Sequence, residues 1–182
     1  MSALFKCCPD GGIGRRAGFK IQFWKQSVGS IPTLGTKNDM HKKDKQIKYD
    51  NAYMRMALEW AKLSYCKRKQ VGALIVKDNM IISDGYNGTP SGFENNCESE
   101  TAETKWYVLH AEANAILKCA KYGQSCKSAD LYLTLSPCKD CSKLIHQAGI
   151  KRVVYHHAYK DYAGLDFLQK AGVEIIHLKK LI

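Results

Sequence analysis

The sequence predicts an α/β protein with three layers, α-β-α, built around a mixed five-stranded sheet. Three observations point there. Beyond residue 48, short apolar runs rich in β-branched residues alternate with helix-length amphipathic stretches. Turn and stop residues separate them, namely Asp78-Asn79, Gly123, Gly149 and Gly172. The resulting order, α-β-β-α-β-α-β-α-β, begins with a hairpin and continues through helical crossovers, the pattern of helices packed on a mixed sheet.

Each element has its own reason. Residues 50–66 place Tyr53, Met54, Ala57, Leu58 and Ala61 on one helical face, with Asp50 or Asn51 as the N-cap. Residues 71–76 and 80–83 are apolar runs on either side of Asp78-Asn79, which is a hairpin signal. Residues 85–96 are rich in Gly, Pro, Asn and Ser and read as a loop. Helices are expected over 110–122, 138–148 and 165–171, each followed by a glycine stop. Strands are expected over 131–135, 152–155 and 174–178.

The chain has 182 residues, which suits one domain, residues 49–182, preceded by a tail, residues 1–48. Hydrophobic content is 45 %, ordinary for a buried core. No run approaches the roughly 18 apolar residues of a membrane span, and no secretory pattern opens the chain. A cytoplasmic location is expected, in the host if the chain is phage-encoded. A reducing compartment makes the eight cysteines thiols or metal ligands in preference to disulfides.

The net charge of +11 is concentrated in the tail, where 10 Lys/Arg face 3 Asp/Glu. A basic tail can bind nucleic acid, but no aromatic-interleaved basic stripe continues into the domain. The expected reading is therefore a solvated, disordered segment. Codons for Val28-Gly29-Ser30-Ile31-Pro32 can contain, out of frame, the T-arm signature of a transfer RNA gene. Residues 1 to about 36 are thus expected to be translated from a neighbouring tRNA gene, with Met40 as the natural start.

The chemistry lies in His110-Ala111-Glu112 and Pro137-Cys138-Lys139-Asp140-Cys141. Each opens a predicted helix. Cys138 and Cys141 are three apart and share a helical face. One imidazole and two thiolates give three protein ligands for Zn2+, one per chain, and leave the fourth tetrahedral position to water. Helix N-termini favour thiolate over thiol, and Pro137 suits a first turn. Glu112 is the expected general acid and base for the metal-activated water. His146 lies five beyond Cys141, off the ligand face, and is not expected to close the site.

These motifs, together with Val71-Gly72-Ala73 and Gly85-Tyr86-Asn87-Gly88-Thr89-Pro90-Ser91-Gly92, resemble the cytidine and deoxycytidylate deaminase superfamily over residues 49–180. The Gly-Tyr-Asn-Gly segment makes the specific match to deoxycytidylate (dCMP) deaminases of phage and bacterial type. The resemblance implies hydroxide attack on C4 of cytosine, with Glu112 relaying protons, so that dCMP gives dUMP and ammonia for dTMP synthesis. It implies Asn87 at the sugar 3′-hydroxyl, Ser136 and Tyr155 beside the base, and Tyr159 and Lys160 at the phosphate. It also implies a homo-oligomer, with a hexamer favoured. An effector site near Tyr86 and Gly88 would be activated by dCTP and inhibited by dTTP, with Mg2+ accompanying the triphosphate.

Some phage relatives bind a second, structural zinc near the positions of Cys66 and Cys97. The stretch from Cys97 to His110 here lacks the histidines for it, so a second zinc is not expected. Three other functions compete: a tRNA or single-stranded nucleic-acid deaminase, a non-catalytic zinc-binding module, and a nucleoside or guanine deaminase. Neither a membrane nor a nucleic acid is the expected partner.

Overall fold

The structure, a computed structural model, describes residues 37–182. The expected tRNA-derived stretch lies outside the described residues. The element order is the predicted one. Helix α1 spans Lys37–Ala61, strand β1 Gly72–Lys77 and strand β2 Met80–Tyr86. Helix α2 spans Ala111–Lys121, β3 Asp130–Leu135 and α3 Lys139–Gln147. Strand β4 spans Arg152–His157, α4 Ala163–Lys170 and β5 Glu174–His177.

The sheet order is β2-β1-β3-β4-β5. β1 runs antiparallel to both β2 and β3, while β3, β4 and β5 are mutually parallel. Asp78 and Asn79 both have positive φ (51° and 61°), as a two-residue hairpin turn requires. Alternation along the strands sorts side chains between two cores. Leu74, Val76, Tyr132 and Val154 meet Tyr53, Met54 and Ala57 of α1. Ala73, Ile75, Leu131, Leu133, Val153 and Tyr155 face the opposite layer, built from α2, α3 and α4.

Several boundaries differ from expectation, most of all at α1 and β2. α1 begins at Lys37, not Asp50, and its residues 40–48 are exposed. Those turns bury no stripe, so apolar periodicity could not reveal them; the 48/49 division coincides with the onset of burial and not with an element boundary. β2 also runs three residues past Ser83 and takes Gly85 and Tyr86 out of the expected loop.

Asp50 is therefore no cap. It sits inside α1, buried, and its carboxylate accepts two bonds from Arg152 of β4 (2.5 and 2.9 Å) and one from the Tyr132 hydroxyl (2.8 Å). Burial pushes its pKa up, but the hydrogen bonds from Arg152, Gln46 and Tyr132 outweigh burial and hold it below the usual carboxylate range. The bidentate pair bolts α1 to the parallel half of the sheet.

Candidate active site

His110 and Cys138 occupy the N-cap positions of α2 and α3, both with extended backbone (φ −74°, ψ 155° and φ −76°, ψ 172°). Cys141 follows in the first turn of α3. His110 Nδ1 lies 3.5 Å from Cys138 Sγ and 3.4 Å from Cys141 Sγ. A tetrahedral Zn2+ with bonds of about 2.0–2.1 Å to nitrogen and about 2.3 Å to sulfur needs a nitrogen–sulfur spacing of about 3.5 Å. The donor set therefore fits the metal that the sequence predicts. Among the described residues, these three form the one cluster of three or more His, Cys, Asp or Glu donors placed to hold an ion.

The protonation of the triad suits metal uptake. Hydrogen bonds from Cys141 and His110 pull the Cys138 thiol down to about 4, while its bond to Cys138 and its burial push Cys141 up. These opposite directions favour the thiolate at Cys138 and the thiol at Cys141, and a metal held by both sulfurs would displace the Cys141 proton. We expect purified protein to carry one zinc per chain. Zinc added to the stripped protein should release protons into weakly buffered solution and bind more weakly as pH falls. Zinc uptake without proton release would contradict this protonation state.

Glu112 lies one residue inside α2 and is 4 % exposed. Burial pushes its pKa up to about 7, a value at which a carboxyl both gives and takes protons near neutrality. It borders the same cavity as His110 and Cys138, a cleft of about 420 Å3, within the size range of small-molecule sites.

The cavity also gathers Asn87, Ser136, Tyr159 and Lys160, four of the residues expected at the substrate. Ser136 Oγ accepts the Tyr159 backbone N–H (2.7 Å) and so ties the end of β3 to the loop after β4. Asn87 is more occupied than expected. Its Oδ1 accepts the Val71 N–H (2.7 Å) and its Nδ2 donates to the Lys69 carbonyl (2.8 Å). Tyr155 is not brought there. It lies in the core beneath α3 and α4, stacked on His177 at 4.5 Å, because β4 alternation turns residue 155 to the same side as Val153. Tyr86 and Gly88 line a separate groove of about 700 Å3 with Lys118 and Lys121.

Sequence reasoning missed Arg68, Lys69 and Glu98, which also line the cavity. The basic stretch Lys67-Arg68-Lys69 just before Val71-Gly72 was the available signal. Cys66 and Cys97 were expected as thiols or relics of a metal site. They are instead joined as a disulfide, Cα atoms 5.1 Å apart and 31 residues apart in sequence, across two loops beside the cavity. Spacing alone could not foretell that pairing.

The Gly-Tyr-Asn-Gly segment acquires a structural reason. A Cβ on Gly85 would strike the Ala111 carbonyl and Ala115 nitrogen, at the turn of α2 that carries His110 and Glu112. Gly88 instead exchanges backbone hydrogen bonds with Leu109 (3.1 and 2.9 Å), directly before His110, and a Cβ there meets open space apart from the Tyr86 ring at 3.9 Å. Gly85→Ala should cost about 1–3 kcal/mol and lower zinc retention, while Gly88→Ala should leave both unchanged. Thermal melts with zinc analysis check this; equal behaviour of the two variants would refute the packing account.

A three-layer α/β fold that opens two helices with a His and a Cys-x-x-Cys pair beside a buried carboxyl defines a metal-dependent deaminase. The family model for the cytidine and deoxycytidylate deaminase zinc-binding region matches residues 47–157, and the chain belongs to that family. It is 36 % identical over 160 residues to the deoxycytidylate deaminase of Enterobacteria phage T4, covering 64 % of this chain and 83 % of the relative. It is 37 % identical over 145 residues to human deoxycytidylate deaminase, covering 72 % and 80 %. The cyanophage S-TIM5 dCMP deaminase, solved in complex with dCMP and dUMP, aligns with a TM-score of 0.68 at 43 % identity, covering 79 % of this chain and all of that one.

Proposed function

We propose that this chain hydrolyses dCMP to dUMP and ammonia, supplying dUMP for dTMP synthesis. The observation that carries the reading is the His110–Cys138–Cys141 triad beside buried Glu112 in a cavity of nucleotide size. The deoxycytidylate deaminases among its relatives support it.

His110, Cys138 and Cys141 would hold Zn2+, whose Lewis acidity would make water a nucleophile near neutral pH. Glu112 takes the proton of the attacking water and passes it to N3 of cytosine. Once that oxygen is bonded to C4, the same carboxyl takes its remaining proton and hands it to the amine as the C4–amine bond breaks, giving dUMP and ammonia. Its burial shields those transfers from bulk water. Ser136 borders the base, and Tyr159 and Lys160 meet the phosphate. Asn87 retains one N–H and one lone pair for the sugar hydroxyl after serving the backbone of residues 69–71.

Regulation belongs to the same reading. The groove at Tyr86 and Gly88, which also carries Lys121 and a Lys118 paired with Asp84 at 2.7 Å, is the proposed site for a triphosphate with its Mg2+. dCTP would activate and dTTP inhibit through a symmetric oligomer, with a hexamer favoured. Sigmoidal dependence on dCMP that turns hyperbolic with dCTP is the expected signature. The tail is proposed as dispensable: among the described residues, buried side chains begin only at Asp50, and removing residues 1–39 should leave soluble, active protein.

Nucleic-acid deamination has one observation in its favour. Trp106 is 93 % exposed and makes an edge contact with Tyr107, over which Lys105 sits, a combination able to stack a base. Assaying zinc-loaded protein on dCMP, CMP, deoxycytidine and a cytosine-containing oligonucleotide decides between the readings. Preference for dCMP supports the proposal; preference for the oligonucleotide overturns it.

A further inference from the structure

Resting on the nucleotide reading, we propose that the Cys66–Cys97 disulfide is a redox-modification site: closed, it holds the catalytic cavity in its high-affinity form, and a dithiol reductant that opens it weakens substrate binding. The bond joins the loop between α1 and β1 to the loop between β2 and α2. Both cysteines are buried, and Cys66 borders the cavity. Each joined loop also supplies cavity wall, Val71 from the first and Glu98, Thr104 and Val108 from the second. In reducing surroundings a disulfide serves more often as a redox device than as a permanent brace.

Neither loop belongs to the sheet. The second is pinned by two isolated bridges, Gly88 with Leu109 and Glu98 with Thr104. The Cys97 carbonyl accepts the Lys105 N–H (2.8 Å), so Cys97 anchors the segment that runs on to His110. At the other sulfur, Cys66 Sγ lies 3.7 Å from the carbonyl of Asn87, which also accepts the Ser64 hydroxyl (2.7 Å). The Asn87 side chain in turn holds the Val71 N–H and the Lys69 carbonyl. The disulfide therefore sits between the backbone of Asn87 and the root of the segment leading to His110. Two non-bonded sulfurs need more room than two bonded ones, and close-packed surroundings leave no slack, so opening the bond pushes the loops apart and shifts Asn87 and Glu98. The chemistry is thiol–disulfide exchange. A thiolate of the reductant attacks Cys66 Sγ from the cavity side, the sulfur–sulfur bond breaks, and Cys97 leaves as a thiolate that takes a proton. The reductant's second thiol then closes on the mixed disulfide and frees the Cys66 thiol. Two electrons pass from the dithiol, now a disulfide, to the cysteine pair.

The test uses full-length, zinc-loaded protein in two states, as oxidised and after a phosphine, which opens disulfides as it becomes a phosphine oxide. Peptide mapping by mass spectrometry verifies the Cys66–Cys97 link in the first state and its absence in the second, and metal analysis verifies the same zinc content in both. Opening should raise KM for dCMP roughly tenfold while kcat stays within about twofold, the size of one misplaced polar contact. Amide exchange over residues 97–109 should quicken. The double variant Cys66→Ser with Cys97→Ser should match the opened wild type in KM and exchange, and should not respond to the phosphine. Unchanged KM and exchange after verified opening would overturn the proposal. So would loss of zinc on opening, a double variant that still responds, or no Cys66–Cys97 link even after mild oxidation. Should the double variant fail to fold, the two states of the wild type still decide. Amide exchange needs no substrate, so this inference and the function it rests on fail separately. Protein that loosens on opening but deaminates no dCMP keeps the redox site and loses the proposed reaction. Protein that deaminates dCMP with the same KM in both states loses the redox site alone.

Discussion

Glu112→Gln should lower kcat by roughly 10⁴-fold, the upper end of what one general acid–base group contributes, because in the proposed reaction a single carboxyl serves every proton transfer. That corresponds to about 5.5 kcal/mol of transition-state stabilisation. The amide has nearly the same shape, so packing against α2 should be retained. It is not one of the three donors, so zinc content should remain one per chain. Steady-state kinetics and metal analysis on the same preparation provide the check. Near-normal turnover, or loss of metal together with activity, would show that Glu112 is a structural neighbour of the site and not its proton carrier. The expectation depends on burial: a carboxyl raised to about 7 is poised to exchange protons, whereas a solvated one would stay ionised.

The second large effect is on stability and lies far from the chemistry. Asp50→Asn should destabilise the fold by about 3 kcal/mol, the lower end of the cost of breaking a buried ion pair, because Asp130 remains 3.6 Å from Arg152. Arg152 is buried, and its charge cannot be re-solvated without opening the contact between α1 and the sheet. Replacing both partners together by apolar residues, Asp50→Leu with Arg152→Met, should cost less than the sum of the single changes, since no buried charge is then stranded. Denaturant unfolding of wild type, Asp50→Asn, the two single apolar variants and the double variant measures this. The sign with pH follows from the depressed Asp50 pKa. Its contribution is fully present above the ordinary aspartate value and fades as pH falls through the lower folded value. Additive losses in the double variant, or a loss in Asp50→Asn no larger than that of a surface substitution, would refute the account.

What the sequence determined by itself was whatever local spacing carries. The His110–Cys138–Cys141 cluster and buried Glu112 were legible as neighbours because groups placed at two helix N-termini leave a signature within a few residues, His-x-Glu and Cys-x-x-Cys. The nine elements were legible because burial on one or two faces imposes a period of 3.6 or 2. Only the tertiary structure decided the rest, wherever the partner lies far along the chain. Asp50 looks like a cap until Arg152, 102 residues away, arrives beside it. Cys66 and Cys97 look like isolated thiols until two loops fold together. Tyr155 ends the strand that the sequence predicts and so looks like a pocket residue, but β4 runs on to His157 and the pleat turns Tyr155 into the core. The first turns of α1 carry charge on every side, and a helix without a buried face has no periodicity to read. Glu98 joins the cavity wall through hydrogen bonds to Lys67 and Arg68 about 30 residues away, and such bonds leave no mark on spacing.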